Sequence, residues 1–245
     1  MDHKIIHIPQ TESTNLSLQL LANTENLPNQ SMVWTDFQTK GRGQAGSSWE
    51  SEPGMNLLCS ILLYPTLLPA NRSFTILEIA ALCVKHTLDR YVSDISIKWP
   101  NDIYYQQQKI SGILIENDIA AGRIIRSIIG IGINLNQQEF KSETPNPISL
   151  AMITGQTCDR KVILNQLHKE FMALTDELET GKFDILHQQY NASLYHRNGF
   201  YSYRDAAGIF EARIHSVEPS GHLNLERRDG TLSQYGFKEV QNVKN

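Results

Sequence analysis

The run Lys98-Trp99-Pro100-Asn101-Asp102, followed by Lys109-Ile110-Ser111-Gly112, puts two ammonium groups, a carboxylate, a carboxamide and an indole within twelve residues. Strand-like apolar runs flank the turn at 95–97 and 110–115. A connection that only reverses the chain does not need that chemistry. Trp99-Pro100 restricts the backbone, because proline fixes its own φ and pushes its predecessor to extended geometry. Asn101-Asp102 then reads as a turn that aims polar groups into one place. Two lysines flanking a turn suit an anion such as phosphate or carboxylate, and an acid beside them suits Mg2+. The competing reading is a polar hairpin with a buried Trp, and these residues alone leave both open.

Three other stretches carry chemistry. Phe37-Gln38-Thr39-Lys40 leads into Gly41-Arg42-Gly43-Gln44-Ala45-Gly46 and on to Trp49. The glycines formally match G-x-G-x-x-G, but a dinucleotide turn requires the last glycine to open a helix. Residues 47–56 contain Pro53 and Gly54 and show no helical period, which argues against a Rossmann turn. What remains is a mobile loop with Lys40 and Arg42 that ends in a lone Trp. Glycine lets its backbone approach a ligand, and mobility lets it close. A ligand lid accounts for the Trp better than a plain surface loop. Upstream, Ser13-Thr14-Asn15 precedes Leu16, Leu20 and Leu21 at helical spacing. The hydroxyls either only cap that helix or, with its exposed N–H groups, grip a polar ligand atom such as a ureido or carboxyl oxygen. Downstream, Gly130-Ile131-Gly132-Ile133-Asn134 sets alternate glycines in an apolar strand, which weakens it unless another backbone or a flat ligand comes close. Asn134 then either hydrogen-bonds a base edge or closes a turn.

These stretches need elements to hold them. Strands are predicted over 5–8, 32–35, 56–63, 95–98, 102–105, 110–117 and 124–135, with a hairpin about 106–108. A long helix is predicted over 69–91 on the stripe Phe74, Leu77, Ala81, Val84 and Leu88. After a polar loop over 141–147, Ser149 caps a short helix stopping at Gly155. Asp159 caps a longer one ending at Gly181, and a third spans 183–194. From Asn198 the pattern turns to short strands over 200–204, 209–217, 222–227 and 231–234, separated by turn signals. The expected fold is α+β: a mixed, largely antiparallel sheet packed with helices over 1–195, then a small SH3-like β-barrel over 196–245.

Composition sets outer bounds. The 245 residues, 40% hydrophobic and 20% charged, fit one large domain with a small appendage. A net charge of -4 gives no footprint for DNA. No run of about 18 apolar residues predicts a membrane span, and the N-terminus has no signal-peptide pattern. Cys59, Cys83 and Cys158 are odd in number and far apart, which reads as three reduced, buried thiols in a cytoplasmic protein. His168, His187 and His196 lack metal-ligand spacing and read as surface or packing residues.

Taken in order, Ser13 to Asn15, the Gly41-Arg42-Gly43 loop ending in Trp49, the Lys98 to Asp102 box, Lys109 with Gly112, and Gly130-x-Gly132-x-Asn134 resemble biotin–protein ligases over almost the whole chain. The resemblance implies a catalytic domain like that of class II aminoacyl-tRNA synthetases, and a monofunctional type without the family's frequent DNA-binding helix-turn-helix. It implies that ATP and Mg2+ activate biotin to biotinyl-5′-AMP, releasing pyrophosphate. The acyl group then passes to a lysine of a biotin carboxyl carrier domain. Lys109, Asp102 and Asn101 are implied in catalysis. Ser13, Thr14, Asn15, Gln38, Arg42, Gly43, Gln44, Lys109 and Gly112 are implied around biotin. Gly41, Arg42, Trp49, Lys98, Asn101, Lys109 and Asn134 are implied around ATP or the adenylate, and Asp102 near Mg2+. Lys98 has two roles open to it, phosphate contact or packing. A homodimer is left open.

The chain departs from the family where the loop commonly carries arginines: Gln44 and Ser47 stand there instead. Gln44 still donates hydrogen bonds but brings no charge. Two other readings compete, a lipoate–protein ligase with the same adenylation chemistry and a non-catalytic adenylate- or carrier-binding module.

Overall fold

In the computed structural model, which describes residues 3–66, 68–141 and 146–243, alternation along the central strands decides what packs on each face. Strands β1 (Ile5–Thr11), β2 (Met32–Gln38), β3 (Leu57–Leu63), β4 (Ile95–Lys98), β5 (Asp102–Tyr105), β6 (Gln108–Ala120) and β7 (Arg123–Ile133) form one sheet in the order β1-β2-β3-β7-β6-β5-β4. β1 and β2 are parallel and the remaining pairs antiparallel. Every residue of β3 is buried, because both of its faces are covered. Leu57, Cys59, Ile61 and Leu63 join the main core with Met32, Trp34, Ile129, Ile131 and Ile133. Leu62, Val33 and Ile128 point the other way, against Leu18 of helix α1 (Thr14–Thr24). The period of two sorts them.

Helices α2 (Phe74–Leu88), α4 (Arg160–Glu179) and α5 (Phe183–Ala192) cover the main core. The predicted stripe on α2 is buried throughout, and each such large side chain is worth roughly 1.5–3 kcal/mol. The helix is shorter than the expected 69–91. A separate 3-10 turn occupies Ala70–Arg72, and α2 stops once its apolar stripe ends at Leu88. Capping works as read. The Met152 N–H donates to Ser149 Oγ at the start of α3 (Leu150–Thr154), and Asp159 accepts from the N–H groups of Lys161 and Val162. The expected loop over 141–147 lies largely outside the described residues. Cys59 and Cys83 are buried as expected, but Cys158 is only partly so, because it follows the α3 turn at the surface.

The C-terminal strands β8 (Tyr201–Asp205), β9 (Gly208–Val217), β10 (Leu223–Arg227), β11 (Leu232–Tyr235) and β12 (Gln241–Asn242) make an antiparallel sheet in the order β11-β10-β9-β8-β12. The pattern did not predict β12, since two residues cannot show alternation. Tyr203, Ala212, Val217, Leu223 and Leu225 share the main core with the helices. Trp99 Nε1 donates to the Gly221 carbonyl at 2.9 Å, and its ring meets Phe237 edge-on. The small sheet is thus seated on the Trp99-Pro100 turn, whose peptide bond is cis. Among the described residues no helix is long and apolar enough to cross a membrane.

A polar joint ties these parts together behind the turn. Buried Glu78 of α2 accepts from His187 Nδ1 of α5 at 2.5 Å. Asn191 contacts His187 and accepts the Val217 N–H of β9, while Tyr190 Oη donates to the Pro100 carbonyl at 2.8 Å. Burial pushes the Glu78 carboxyl above its ordinary 4.5, and the hydrogen bond to Glu78 raises His187 above 6.5. Both groups hold protons more tightly folded than unfolded. Their contribution is therefore complete at low pH and declines as pH rises, through Glu78 first and then beyond 6.5 through His187. The thermal midpoint should fall from about pH 6 to about pH 8, and His187→Gln should flatten that fall. Equal slopes for the two proteins would remove His187 from the account.

Candidate active site

On the face of the large sheet that carries α1, the apolar cover stops and bare backbone begins. Gly112 of β6 and Gly132 of β7 stand directly opposite each other, and Gly130 stands opposite Leu114. The Trp49 indole lies on this platform. A Cβ on Gly132 would be 2.5 Å from the indole, and one on Gly112 would be 2.9 Å from it. A Cβ on Gly130 would collide with the Asn15 carboxamide. The glycines predicted another backbone or a flat ligand at this place, and what lies on them is a side chain of this chain's own loop. That loop folds back as a flap. Gly43 N–H donates to the Ser47 carbonyl and Trp49 N–H to that of Gly41, around a 3-10 turn at Gln44–Gly46. No helix follows Gly46, in line with the case against a Rossmann turn. Trp49 Nε1 is buried and has no hydrogen-bond partner. An unmatched buried donor is costly, and a ligand acceptor would relieve it.

A bulge aims the principal lysine. Lys109 and Gly112 are three apart, so a regular pleat would put them on opposite faces. The β5–β6 register shifts between Ile103 and Tyr104. The extra residue turns Lys109 onto the glycine face, 3.4 Å from where a Gly112 Cβ would sit. There Lys109 Nζ pairs with Asp102 Oδ1 at 2.7 Å and lies 5.7 Å from the Trp49 ring centroid. Asn101 Nδ2 donates to the Ile113 carbonyl at 2.7 Å, which fixes the turn against β6. Lys98 Nζ donates to Tyr104 Oη at 3.0 Å.

The other end is a polar cluster. Gln38 Oε1 accepts from both the backbone N–H and the hydroxyl of Thr14, at 2.8 and 3.1 Å. Ser60 Oγ is 2.7 Å from Thr14 Oγ1 and 2.6 Å from Asn15 Oδ1. Asn15 Nδ2 donates to Glu116 Oε2, which also receives Arg42 Nη2. Ser13 occupies the N-cap position without making a side-chain cap bond, so capping does not explain its hydroxyl.

One cavity of about 920 Å³ joins the two ends. It is lined by Ser13, Thr14, Asn15, Gln38, Arg42, Gly43, Gln44, Trp49, Lys98, Asn101, Asp102, Lys109 and Gly112. Gly41 lies beside it, lining the groove beneath the flap. Asn134 is elsewhere. It is buried at the end of β7, its Nδ2 3.2 Å from the Ile148 carbonyl, and it does not line the cavity. The strand ends at Ile133, two residues earlier than the predicted 124–135, and Asn134 turns its Nδ2 to the 148–150 connection while its buried Oδ1 has no partner. Sequence reasoning missed Ser60, Glu116 and the small sheet's wall, where Tyr203, Lys238 and Asn242 also face the cavity. The period of two puts Glu116 on the face of Gly112 in β6, but β3 is buried throughout and gave no such signal for Ser60. Nothing local signalled the wall, except that Lys238 takes a left-handed φ of 71°, unusual for lysine.

The profile of the biotin/lipoate A/B protein ligase family matches residues 7–134, more than half of the chain. The chain belongs to that family. Among its relatives, the bifunctional ligase/repressor BirA of Bacillus spizizenii is 28% identical over 239 residues, covering 96% of this chain and 73% of that protein. The biotin–[acetyl-CoA-carboxylase] ligase of Paracoccus denitrificans is 28% identical over 186 residues, covering 72% and 75%. Among solved structures, the biotin protein ligase of Aquifex aeolicus in complex with biotin and ATP superimposes with a TM-score of 0.79 at 24% identity, covering 98% of this chain and 99% of that one. That likeness establishes the fold.

Gly132→Ala should eject the indole from its platform while leaving the core intact. In protein labelled with 5-fluorotryptophan, the Trp49 resonance should move to a solvent-exposed shift and that of buried Trp34 should stay. An unmoved Trp49 signal would show that the platform does not hold it.

Proposed function

We propose that the protein activates biotin with MgATP to biotinyl-5′-AMP and transfers the acyl group to a lysine of a carboxylase's biotin carrier domain. One observation carries the reading: a polar cluster, a lysine and an indole-covered glycine platform lie in that order along a single cavity. Biotin's ureido group has two N–H donors and one carbonyl acceptor. The cluster of Ser13, Thr14, Asn15, Gln38 and Ser60 offers both donors and acceptors to match it. A lipoyl dithiolane has no N–H or carbonyl to exchange hydrogen bonds with this cluster, which favours biotin.

The ammonium of Lys109 stands where carboxylate and α-phosphate must meet. It carries three donors and Asp102 takes one. The others screen the two anions as a carboxylate oxygen forms its bond to the α-phosphorus and pyrophosphate leaves. Mg2+ arrives with the phosphates. Among the described residues no cluster of three ligating side chains could cage it. Asp102, half-buried with one oxygen beyond its contact to Lys109, suits an ion held mainly by substrate phosphates. Trp49 and the platform suit the adenine. In the second step the carrier amine attacks the acyl carbon, AMP leaves, and the amine proton passes to solvent or the departing phosphate. The flap excludes water from the mixed anhydride meanwhile. Three free thiols, with the Cys59 thiol pushed up to about 12 by burial, fit a reducing cytoplasm.

Pyrophosphate release with ATP and Mg2+ should occur with biotin and not with lipoate or octanoate, followed by label on the carrier lysine. Lys109→Ala should reduce release by roughly 100-fold or more, the usual scale for losing one electrostatic stabiliser. Release with lipoate alone would move the protein to the sister activity, and binding without release would make it a binding module. Gln44→Arg should restore a loop charge and slow escape of the adenylate. Equal escape rates would show that charge at position 44 does not govern retention.

A further inference from the structure

We infer that Glu116 is a positioning residue that latches the flap shut and sets the orientation of Asn15, an inference that rests on the adenylate-retaining role proposed for the flap. Glu116 faces the same side of β6 as Leu114 and Gly112, by the period of two. Its Oε2 receives Arg42 Nη2 at 2.9 Å and Asn15 Nδ2 at 2.7 Å. The first bond joins the flap to the sheet. The second fixes which way the Asn15 amide points, since Ser60 Oγ holds the opposite atom, Oδ1, at 2.6 Å. One carboxylate oxygen therefore ties the flap's guanidinium to the polar end of the cavity. Glu116 also lines the groove beneath the flap, together with Leu114 and Ser48. It does not line the main cavity and so touches no reacting atom.

The size of the effect follows from exposure. The Arg42 and Glu116 side chains are 38% and 40% exposed. Such a pair shifts an open–closed equilibrium by about three- to fivefold at most, and salt weakens it. That suits a latch that must open for every carrier lysine.

Two measurements on the whole protein test this. In the ligand-free state, trypsin should cut after Arg42 about three- to fivefold faster in Glu116→Gln than in the parent. Cleavage after exposed Arg228 on the small sheet serves as the reference and should not change. In the second, the lifetime of the enzyme–adenylate complex formed from biotin and ATP should shorten by a similar factor. It should fall with added NaCl in the parent but stay flat in the variant. The charge swap Arg42→Glu with Glu116→Arg, which removes the trypsin site at 42, should restore part of the adenylate lifetime and its salt dependence. A general folding defect would speed both cleavages equally and leave the salt dependence in place, which overturns the inference, as does an unchanged rate at Arg42. If the parent releases no pyrophosphate with biotin, the ligase reading falls, and the trypsin arm still decides the latch.

Discussion

Everything at this site depends on the absence of three Cβ atoms. Gly112, Gly130 and Gly132 lie side by side in the most heavily paired part of the sheet, where glycine costs stability. The gain is a flat floor of backbone on which an indole can lie and against which the Asn15 carboxamide can close. A methyl group at any of the three would meet one of those partners. The platform therefore fixes the height of the cavity, the place of Trp49 and the entry of α1 together. The β5–β6 bulge brings Lys109, paired with Asp102, onto the same face.

The small sheet acts as a wall. Its residues share the main core, and Trp99 reaches it with a hydrogen bond and an aromatic edge contact. Tyr190 holds the Pro100 carbonyl from the other side. The turn bearing Asn101 and Asp102 is thus clamped between α5 and the C-terminal strands. That placement gives the last fifty or so residues a physical reason to accompany the catalytic sheet.

Much of this was legible in the chain. Lys98 to Asp102, Lys109, Gly43 and Gly46 of the flap and the start of α1 carry chemistry that their elements do not require, and they meet in one cavity. Helix caps at Ser149 and Asp159 and the α2 stripe obey local rules, so they fell where expected. The rest needed three dimensions. Alternation says Lys109 and Gly112 oppose each other, and only the bulge, set by pairing with β5, reverses this. Ser60 and Glu116 look like ordinary strand residues until β3 and β6 bring them to Asn15. Asn134 sat in a motif with two meaningful glycines, but β7 ends just before it and its amide nitrogen meets the Ile148 carbonyl outside the lining of the cavity.

The most direct test is a crystal structure with a non-hydrolysable phosphoester analogue of biotinyl adenylate. The ureido ring should contact Thr14, Asn15 and Gln38, the phosphate should lie within hydrogen-bonding distance of Lys109 Nζ, and the adenine should stack with Trp49 at the glycine platform. An analogue seated with its phosphate away from Lys109, or its ureido ring outside the Thr14–Gln38 cluster, would contradict the assignment of the two ends of the cavity.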